Sequence, residues 1–364
     1  MRKESKEITE QILTFIEESN EEESRFNELA LKLFTYQFKF NLPYKKFCQK
    51  RRKTPLTVKN WREIPVIPIQ AFKELVLSCE PAEEAEAVFM TSGTTNAEKR
   101  GKNHHPSLQV WDASMMTGFK QFVVPDGKKR AIFVLSPGED LNKNSSLSRY
   151  LTMAVKHFGN ENSRNFFNKD GLDMNSLVKA LKESEERKEP VMLMGASFAY
   201  VHFLDYCKEH GNRFKLASGS RLFDTGGFKG QSREVKKEEL YLSFEETFAI
   251  SQKDCINMYG MTELSSQIYD QKFVFRDRLN TKMSSASWLK TLVLHPETLE
   301  PLKDGEIGIL AHYDLANWNS CLAILTEDMG YKTADGLTLL GRAEGSEARG
   351  CSISVDQLME AQQQ

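Results

Sequence analysis

The chain has 364 residues, room for about two or three domains at roughly 100–200 residues each. Hydrophobic residues are 40% of it and charged residues 27%, the mixture of a folded globular protein, which excludes wholesale disorder. Lys plus Arg (49) nearly balances Asp plus Glu (51), a net charge of −2, so the basic excess of a dedicated nucleic-acid binder is absent, although a local basic patch stays open.

The first segment, 1–85, reads as helical. Its start lacks the apolar stretch and small-residue cleavage site of a secretory signal. Ile8, Ile12, Leu13 and Ile16 recur with the helical period, and Leu29, Leu31, Leu33 and Phe34 follow it less regularly. Glu21, Glu22 and Glu23 read as a solvated turn or face, and Pro43 as a break. In WREIPVIPIQAFK (61–73), Pro65 and Pro68 preclude an ordinary helix. An extended connector is expected there, leading into a helix with Phe72 and Leu75.

Segment 86–287 changes texture. Short apolar runs at AVFM (87–90), AIFVLS (131–136), VMLMGA (191–196), RLFDTGG (221–227) and DCINMYG (254–260) predict strands. Helical patterns at 145–157, 175–187, 197–210 and 231–247 lie between them. This alternation predicts an α/β core with a largely parallel sheet, whose ligands bind at the carboxyl ends of the strands. The best candidate for a membrane span, 191–204, is shorter than the roughly 18 apolar residues a span requires. In 288–340, the runs LKTLVLH (289–295), EIGILAHYD (306–314) and CLAILTED (321–328) predict a small β-subdomain, with Asp304-Gly305 as a hairpin signal. Residues 341–364 read as a hinge and a short tail.

Five loops could carry chemistry. In MTSGTTNAEKRGKNHH (90–105), Thr91, Ser92, Thr94 and Thr95 surround Gly93, so hydroxyls and backbone amides could follow a phosphate chain. The loop is not a Walker motif, and an ordinary Ser/Thr turn is the alternative. FDTGGFKG (223–230) places Gly226 and Gly227 after a strand, for close approach to a flat ligand or for a tight turn into a helix. NMYGMTELSSQ (257–267) offers the Tyr259 ring, Gly260, the Thr262 hydroxyl and the Glu263 carboxylate, which suit a base, a phosphate and Mg²⁺, while Thr262 could equally cap a helix. LTEDMGY (325–331) puts Asp328 after a strand, either binding sugar hydroxyls or standing in an acidic turn. LLGRAEGSEARGCSIS (339–354) holds Arg342, which could answer phosphate or ribose oxygen, and Cys351, whose Arg neighbour favours the thiolate. A surface Arg and a half-buried Cys are the alternatives. The six cysteines (48, 79, 207, 255, 321 and 351) form no C-x-x-C pair and no zinc-like spacing. Reduced thiols in a cytoplasm are expected.

Taken in order, TSGTT, the Gly-Gly strand end, YGMTE, GEIG, T-x-D-x-G and the GR hinge resemble the adenylate-forming superfamily of acyl-CoA synthetases, peptide-synthetase adenylation domains and luciferases over 90–354. The IPVIPIQAFK connector, the basic stretch after TSGTT, YGMTELSSQ and the RGCS tail resemble one branch of it, the acyl-protein synthetases (long-chain-fatty-acid–luciferin-component ligases) of bacterial bioluminescence. The resemblance implies an α/β adenylate-forming large domain with mixed and parallel sheets, a small β-subdomain and a truncated C-terminal mobile domain. It implies that a fatty acid is activated with ATP and Mg²⁺ to acyl-AMP, held on Cys351 as a thioester, and delivered to an acyl-reductase partner. By the same resemblance Ser92, Gly93, Thr94 and Thr95, with Thr91, line the ATP phosphates. Gly226 and Gly227 approach the adenine and acyl pocket, and Tyr259 with Gly260 packs on adenine. Thr262 touches phosphate, Glu263 holds Mg²⁺, Asp328 binds the ribose hydroxyls, and Arg342 reaches ribose or phosphate.

Two departures stand out. The usual glycine and proline after TSGTT are replaced by NAEKRGKNHH, and no lysine follows Lys332, where the superfamily's mobile domain carries a catalytic one. His104 and His105 are candidate polar contacts, and Phe198, Tyr200 and Phe228 candidate walls of an acyl tunnel or plain core. An acyl- or aryl-CoA ligase, a carrier-protein loading enzyme and a catalytically silent complex subunit remain the competing readings.

Overall fold

Three amphipathic helices open the chain: α1 (Lys3–Glu18), α2 (Glu23–Phe40) and α3 (Leu42–Lys50). Ile8, Ile12, Phe15 and Ile16 are buried on α1, and Phe26, Leu29, Leu33 and Phe34 on α2. The break falls at Asn41, whose side chain accepts the Tyr44 amide at 3.2 Å, and Pro43 sits in the first turn of α3, where its missing N–H costs nothing. The connector departs in part from the extended form expected: Trp61–Glu63 is a turn of 3-10 helix, the chain is extended through β1 (Ile67–Pro68), and a short α4 (Ala71–Glu74) follows that contains Phe72 and ends just before Leu75.

The following elements are β2 (Ala87–Met90), β3 (Lys102–His105), α5 (Gln109–Gly118), β4 (Ala131–Val134) and α6 (Ser146–Phe158). Three two-residue strands, β5 (Arg164–Asn165), β6 (Phe167–Asn168) and β7 (Gly171–Leu172), lead to α7 (Met174–Arg187). Then come β8 (Val191–Ala196), α8 (Ser197–Glu209), β9 (Arg221–Thr225), α9 (Lys237–Phe248), β10 (Cys255–Tyr259) and β11 (Ile268–Asp270). The chain continues through β12 (Met283–Ser285), β13 (Leu289–Leu294), β14 (Gly308–Asp314), β15 (Ala323–Thr333) and β16 (Gly336–Arg342). The computed structural model describes residues 1–19, 21–91, 100–227, 232–270 and 282–342.

The chain divides into two units. Unit one takes Met1–Thr117, Met261–Gln267 and the chain from Lys282 onward; unit two takes Gly118–Gly260 and the segment from Ile268.

Unit two is the α/β part. β5, β4, β8, β9 and β10 lie side by side in that order, all parallel, and β11 adds an antiparallel edge to β10. β8 and β9 are buried at every position; β8 (VMLMGA) is accordingly an unbroken apolar run with no alternation, while β9 (RLFDT) buries Arg221 against Asp126 and Asp224 against the Tyr241 hydroxyl. Leu181, Leu193, Tyr200, Leu222, Phe244 and Phe248 belong to the core shared by the sheet and α7, α8 and α9. Tyr200, considered above as a tunnel wall, is wholly buried there and donates its hydroxyl to the Phe223 carbonyl at 2.9 Å.

Unit one carries the β-rich part. β13, β14, β15, β16 and β12 form an antiparallel sheet in that order, and β1 runs parallel to the start of β15, pairing Ile67 with Ile324. Asp304-Gly305 turns within the longer connection between β13 and β14, with Gly305 at φ +88 and its amide on the Lys332 carbonyl at 2.7 Å. β2 and β3 pair as a separate hairpin. Glu23 is more than a solvated charge, because it accepts the Trp61 indole N–H at 2.7 Å and meets Arg62 and Lys290. Trp61 packs edge-on against Tyr313 of β14, with ring centroids 4.8 Å apart.

Candidate active site

The turn 261–266 in unit one is built almost entirely from side-chain hydrogen bonds to its backbone. Asp314, wholly buried at the end of β14, accepts the Ser265 amide (3.0 Å), the Ser266 amide (2.9 Å), the Ser266 hydroxyl (2.7 Å) and the Ala316 amide (3.0 Å). Asn317 accepts the Ser265 amide at 2.8 Å and donates to the Glu263 carbonyl at 2.8 Å and the Cys321 carbonyl at 3.2 Å. Asn103 of β3 donates to the Thr262 carbonyl at 3.1 Å and the Glu263 carbonyl at 3.4 Å. The Ser266 hydroxyl also meets Ser114 (2.9 Å) and the Trp288 indole N–H (3.0 Å). Burial raises the Asp314 carboxyl to about 6 in spite of the hydrogen bonds it accepts. Residues 261–267 run on into β11 with no helix, so Thr262 does not cap one.

Glu263 stands in this frame with 5% of its surface exposed. Beyond its own backbone amide, its carboxylate has no hydrogen-bond or ion-pair partner among the described residues. Burial raises it to about 7, against the weaker pull of its own backbone amide, Lys73 and Arg342. A buried carboxylate without a partner is costly unless a cation faces it, so the donor suits a divalent metal. No group of three or more His, Cys, Asp or Glu able to hold a metal occurs among the described residues. A single carboxylate plus phosphate oxygens is a common Mg²⁺ arrangement, so the residues fit that ion.

The hydroxyl-rich loop begins beside Glu263. The Thr91 amide donates to the Gly101 carbonyl (3.0 Å) and the Gly101 amide returns to the Thr91 hydroxyl (3.0 Å), which closes the loop's neck. A Cβ on Gly101 would stand 3.1 Å from Thr91 Cγ2 and 3.4 Å from Glu263 Oε1, so glycine allows the neck to press on the carboxylate. Ser92, Gly93, Thr94 and Thr95 lie outside the described residues, as do Phe228 and Cys351.

Asp328 lies inside β15, not in a turn after a strand, because β15 continues to Thr333. It pairs in register with Arg342 of β16 next to an irregularity at Met329 and Gly330. Arg342 Nε lies 4.0 Å from Asp328 Oδ1 and Nη1 lies 3.4 Å from Glu327 Oε2, with Gly341 at φ +107 just before it. Unit one thus brings together Thr91, Gly101, Asn103, Thr262 and Glu263, and separately pairs Asp328 with Arg342. His104 is nearly buried on β3, with Nδ1 unpartnered among the described residues, and burial, helped by Lys102, lowers its pKa. His105 packs on Phe89, ring centroids 4.9 Å apart.

Unit two holds the glycine pair. Gly226 sits at φ +72, which favours glycine, and a Cβ on Gly226 or Gly227 would meet no atom within 4 Å among the described residues. Asp224, one residue before Thr225, accepts Tyr241 Oη (2.8 Å), Asn257 Nδ2 (3.0 Å) and Ser197 Oγ (3.3 Å), and Ser197 also reaches the Gly226 carbonyl (3.3 Å). Tyr259 and Gly260 end the first of the two stretches that make up the same unit, Tyr259 pairing with Ile268 of the second. α9 begins only at Lys237, so the glycine pair is not a tight turn into a helix.

Asp314, Asn317, Asn103 and Gly101 were not singled out by motif reading. The available signal was Asp-x-x-Asn (314–317) at the end of the strand run GILAHYD (308–314).

Comparisons with known proteins bear on the chain's family and fold. The family model described as Acyl-protein synthetase, LuxE matches residues 4–360. The long-chain-fatty-acid–luciferin-component ligase of Aliivibrio fischeri is 24% identical over 346 residues, covering 90% of this chain and 87% of its own length. The ligase of the same name from Vibrio harveyi is 20% identical over 351 residues, covering 94% and 90%. Among solved structures, an open conformation of 2-hydroxyisobutyryl-CoA ligase with 2-HIB-AMP and CoA superposes with TM-score 0.63 at 13% identity, covering 88% of this chain and 70% of that one. ATP-bound MatB from Rhodopseudomonas palustris gives TM-score 0.50 at 15% identity, and this chain spans 49% of its length. At these identities the solved structures speak for the fold alone, and that fold is the adenylate-forming one.

Proposed function

Because the chain belongs to the acyl-protein synthetase, LuxE family, we propose that it activates a long-chain fatty acid with ATP and carries the acyl group on Cys351. A carboxylate oxygen bonds to the α-phosphorus of ATP, and pyrophosphate leaves. The Cys351 sulfur then bonds to the acyl carbon, AMP leaves with the electron pair of the broken carbon–oxygen bond, and the thiol proton passes to solvent. Splitting the transfer in two replaces one difficult step with two easier ones.

The observation that supports this reading is Glu263, a buried carboxylate with no ion-pair partner among the described residues, held against the neck of the hydroxyl-rich loop. Mg²⁺ bound there would neutralise charge on the phosphates. Thr262 and Thr91, with Ser92, Gly93, Thr94 and Thr95, are assigned to the phosphates. Gly226, Gly227, Tyr259 and Gly260 are assigned to the adenine and acyl side, and Asp328 and Arg342 to the ribose. Cysteine placement supports Cys351 as carrier: Cys48, Cys79, Cys207, Cys255 and Cys321 are all buried, and burial raises the thiols of Cys48, Cys79, Cys207 and Cys321. A buried thiol with a raised pKa is a poor nucleophile. These unbridged thiols also suit a reducing cytoplasm, where an acyl-reductase would receive the acyl group.

Intact mass after incubation with ATP, Mg²⁺ and tetradecanoic acid tests the reading. A hydroxylamine-sensitive acyl adduct is expected on the wild type and not on Cys351→Ser. AMP formation with no adduct would reassign the chain to ligases that acylate CoA or a carrier protein. Neither adduct nor AMP would overturn the activity.

A further inference from the structure

We propose that Asp314 and Asn317 are positioning residues for the adenylation step: they hold the Thr262–Glu263 turn so that the Glu263 carboxylate is fixed before nucleotide arrives. This inference rests on the role given to Glu263 above.

The geometry is specific to that turn. Ser265 and Ser266 present their amides to Asp314, and Ser265 also meets Asn317. The Glu263 carbonyl is taken by Asn317. The two clamp residues sit 48–54 positions further along the chain, and besides them the turn has the Asn103 side chain on its Thr262 and Glu263 carbonyls and the Gln267 side chain on its Ser265 carbonyl at 3.3 Å. The turn has no helix or ladder of its own beyond the Leu264 amide on the Met261 carbonyl at 3.2 Å. Side chains therefore stand in for secondary structure at the segment that bears the reactive carboxylate. Among the described residues the Glu263 carboxylate takes a hydrogen bond from its own backbone amide and from no other residue, so its position is inherited from its backbone. Misplacement of about 1 Å can cost on the order of a hundredfold in rate, the scale on which such a clamp acts.

Asp314→Asn is the first variant, since the amide retains shape but presents N–H groups toward N–H donors. Asn317→Ser is the second, should the first fail to fold. Thr291→Val, which removes the buried hydroxyl 2.9 Å from His312 Nδ1, is the control for loss of a hydrogen bond elsewhere in unit one. Three readouts are taken on the full chain: thermal midpoint, ATP–pyrophosphate exchange with tetradecanoate over a Mg²⁺ series, and deuterium uptake of peptides covering 260–268. The expected result for both clamp variants is a 10- to 100-fold lower kcat per folded molecule, a higher Mg²⁺ midpoint, an unchanged KM for fatty acid, and faster uptake confined to 260–268. Thr291→Val should lower the thermal midpoint alone. Clamp variants that behave like Thr291→Val overturn the proposal. A wild type without exchange activity removes the proposed reaction but not the test: local opening of 260–268 would still show that the clamp holds the turn, and uptake equal to wild type would refute it.

Discussion

His312 is expected to make the fold acid-sensitive. β14 buries it completely, with Nδ1 2.9 Å from the hydroxyl of its cross-strand neighbour Thr291 on β13. Burial lowers the imidazole from 6.5 to about 3. Between those values the unfolded chain binds a proton that the folded chain refuses. Stability therefore rises with pH through this window; the contribution is whole above 6.5 and is lost as pH falls toward 3. Each pH unit is worth about 1.4 kcal/mol, so at pH 5, about 1.5 units below the unfolded value, the loss is about 2 kcal/mol. Net stabilities of about 5–15 kcal/mol make that a large fraction. His312→Gln retains an amide for Thr291 and does not titrate. Urea unfolding of both proteins at about pH 7.5, 6 and 5 gives the comparison, in which the common titrations of other groups cancel. The stability difference between wild type and variant should move by about 2 kcal/mol in favour of the variant between the first and last pH. Parallel pH profiles would refute a neutral, buried imidazole at this position.

Three further outcomes are expected. Gly101→Ala brings a methyl to 3.4 Å from Glu263 Oε1 and 3.1 Å from Thr91 Cγ2, so pyrophosphate exchange should fall about tenfold with little change in unfolding midpoint; wild-type exchange would show that the neck does not set the carboxylate. Glu80→Ala removes the buried acceptor of the Arg2 amide and the Ser5 hydroxyl, at a cost of about 1–3 kcal/mol in urea unfolding, and no loss would mean that the first turn of α1 is held by packing alone. Asp224→Ala leaves the Tyr241 hydroxyl and the Asn257 amide without their acceptor, so about 2–4 kcal/mol of stability should go, and the KM for ATP should rise because Ser197 and Gly226 share that network. A stability loss with an unaltered KM would separate Asp224 from the glycine pair's function.

Periodicity revealed most of the architecture because its signals are local. The apolar runs 191–196 and 255–259 are strands because each residue there is buried or nearly so, and 175–187 is a helix whose start is fixed by the Asp173 side chain accepting the Ser176 amide. Asp328 was misplaced for a physical reason. β15 is 11 residues long and continues to Thr333, well past the apolar stretch that ends at Leu325, carried by pairing with β16, and ladder pairing leaves no mark on hydrophobicity. The chemical loops were legible as compositions: hydroxyls around Gly93, a carboxylate after Thr262. The frame that holds Glu263 was not, since Asn103 lies 160 positions away and Asn317 54. Single polar residues that meet only in three dimensions have no spacing to read.

Unit one has a consequence for synthesis. Gln37 of α2 and Asn41 just beyond its end donate to the carbonyls of Asn317, Trp318 and Ser320, and Gln37 accepts the Leu322 amide, across 279–285 residues of chain. At about 5–20 residues per second a ribosome needs roughly 15–55 s between making the two halves of that seam. For that interval the apolar faces of α1 and α2 have only each other and the residues already made, while the whole of unit two emerges and folds. The nascent chain thus carries an unfinished hydrophobic surface at its leading end until nearly the last strand is translated. Chaperone demand should track the time taken to reach residue 322, and slow codons after unit two should lower the yield of folded protein more than slow codons before it.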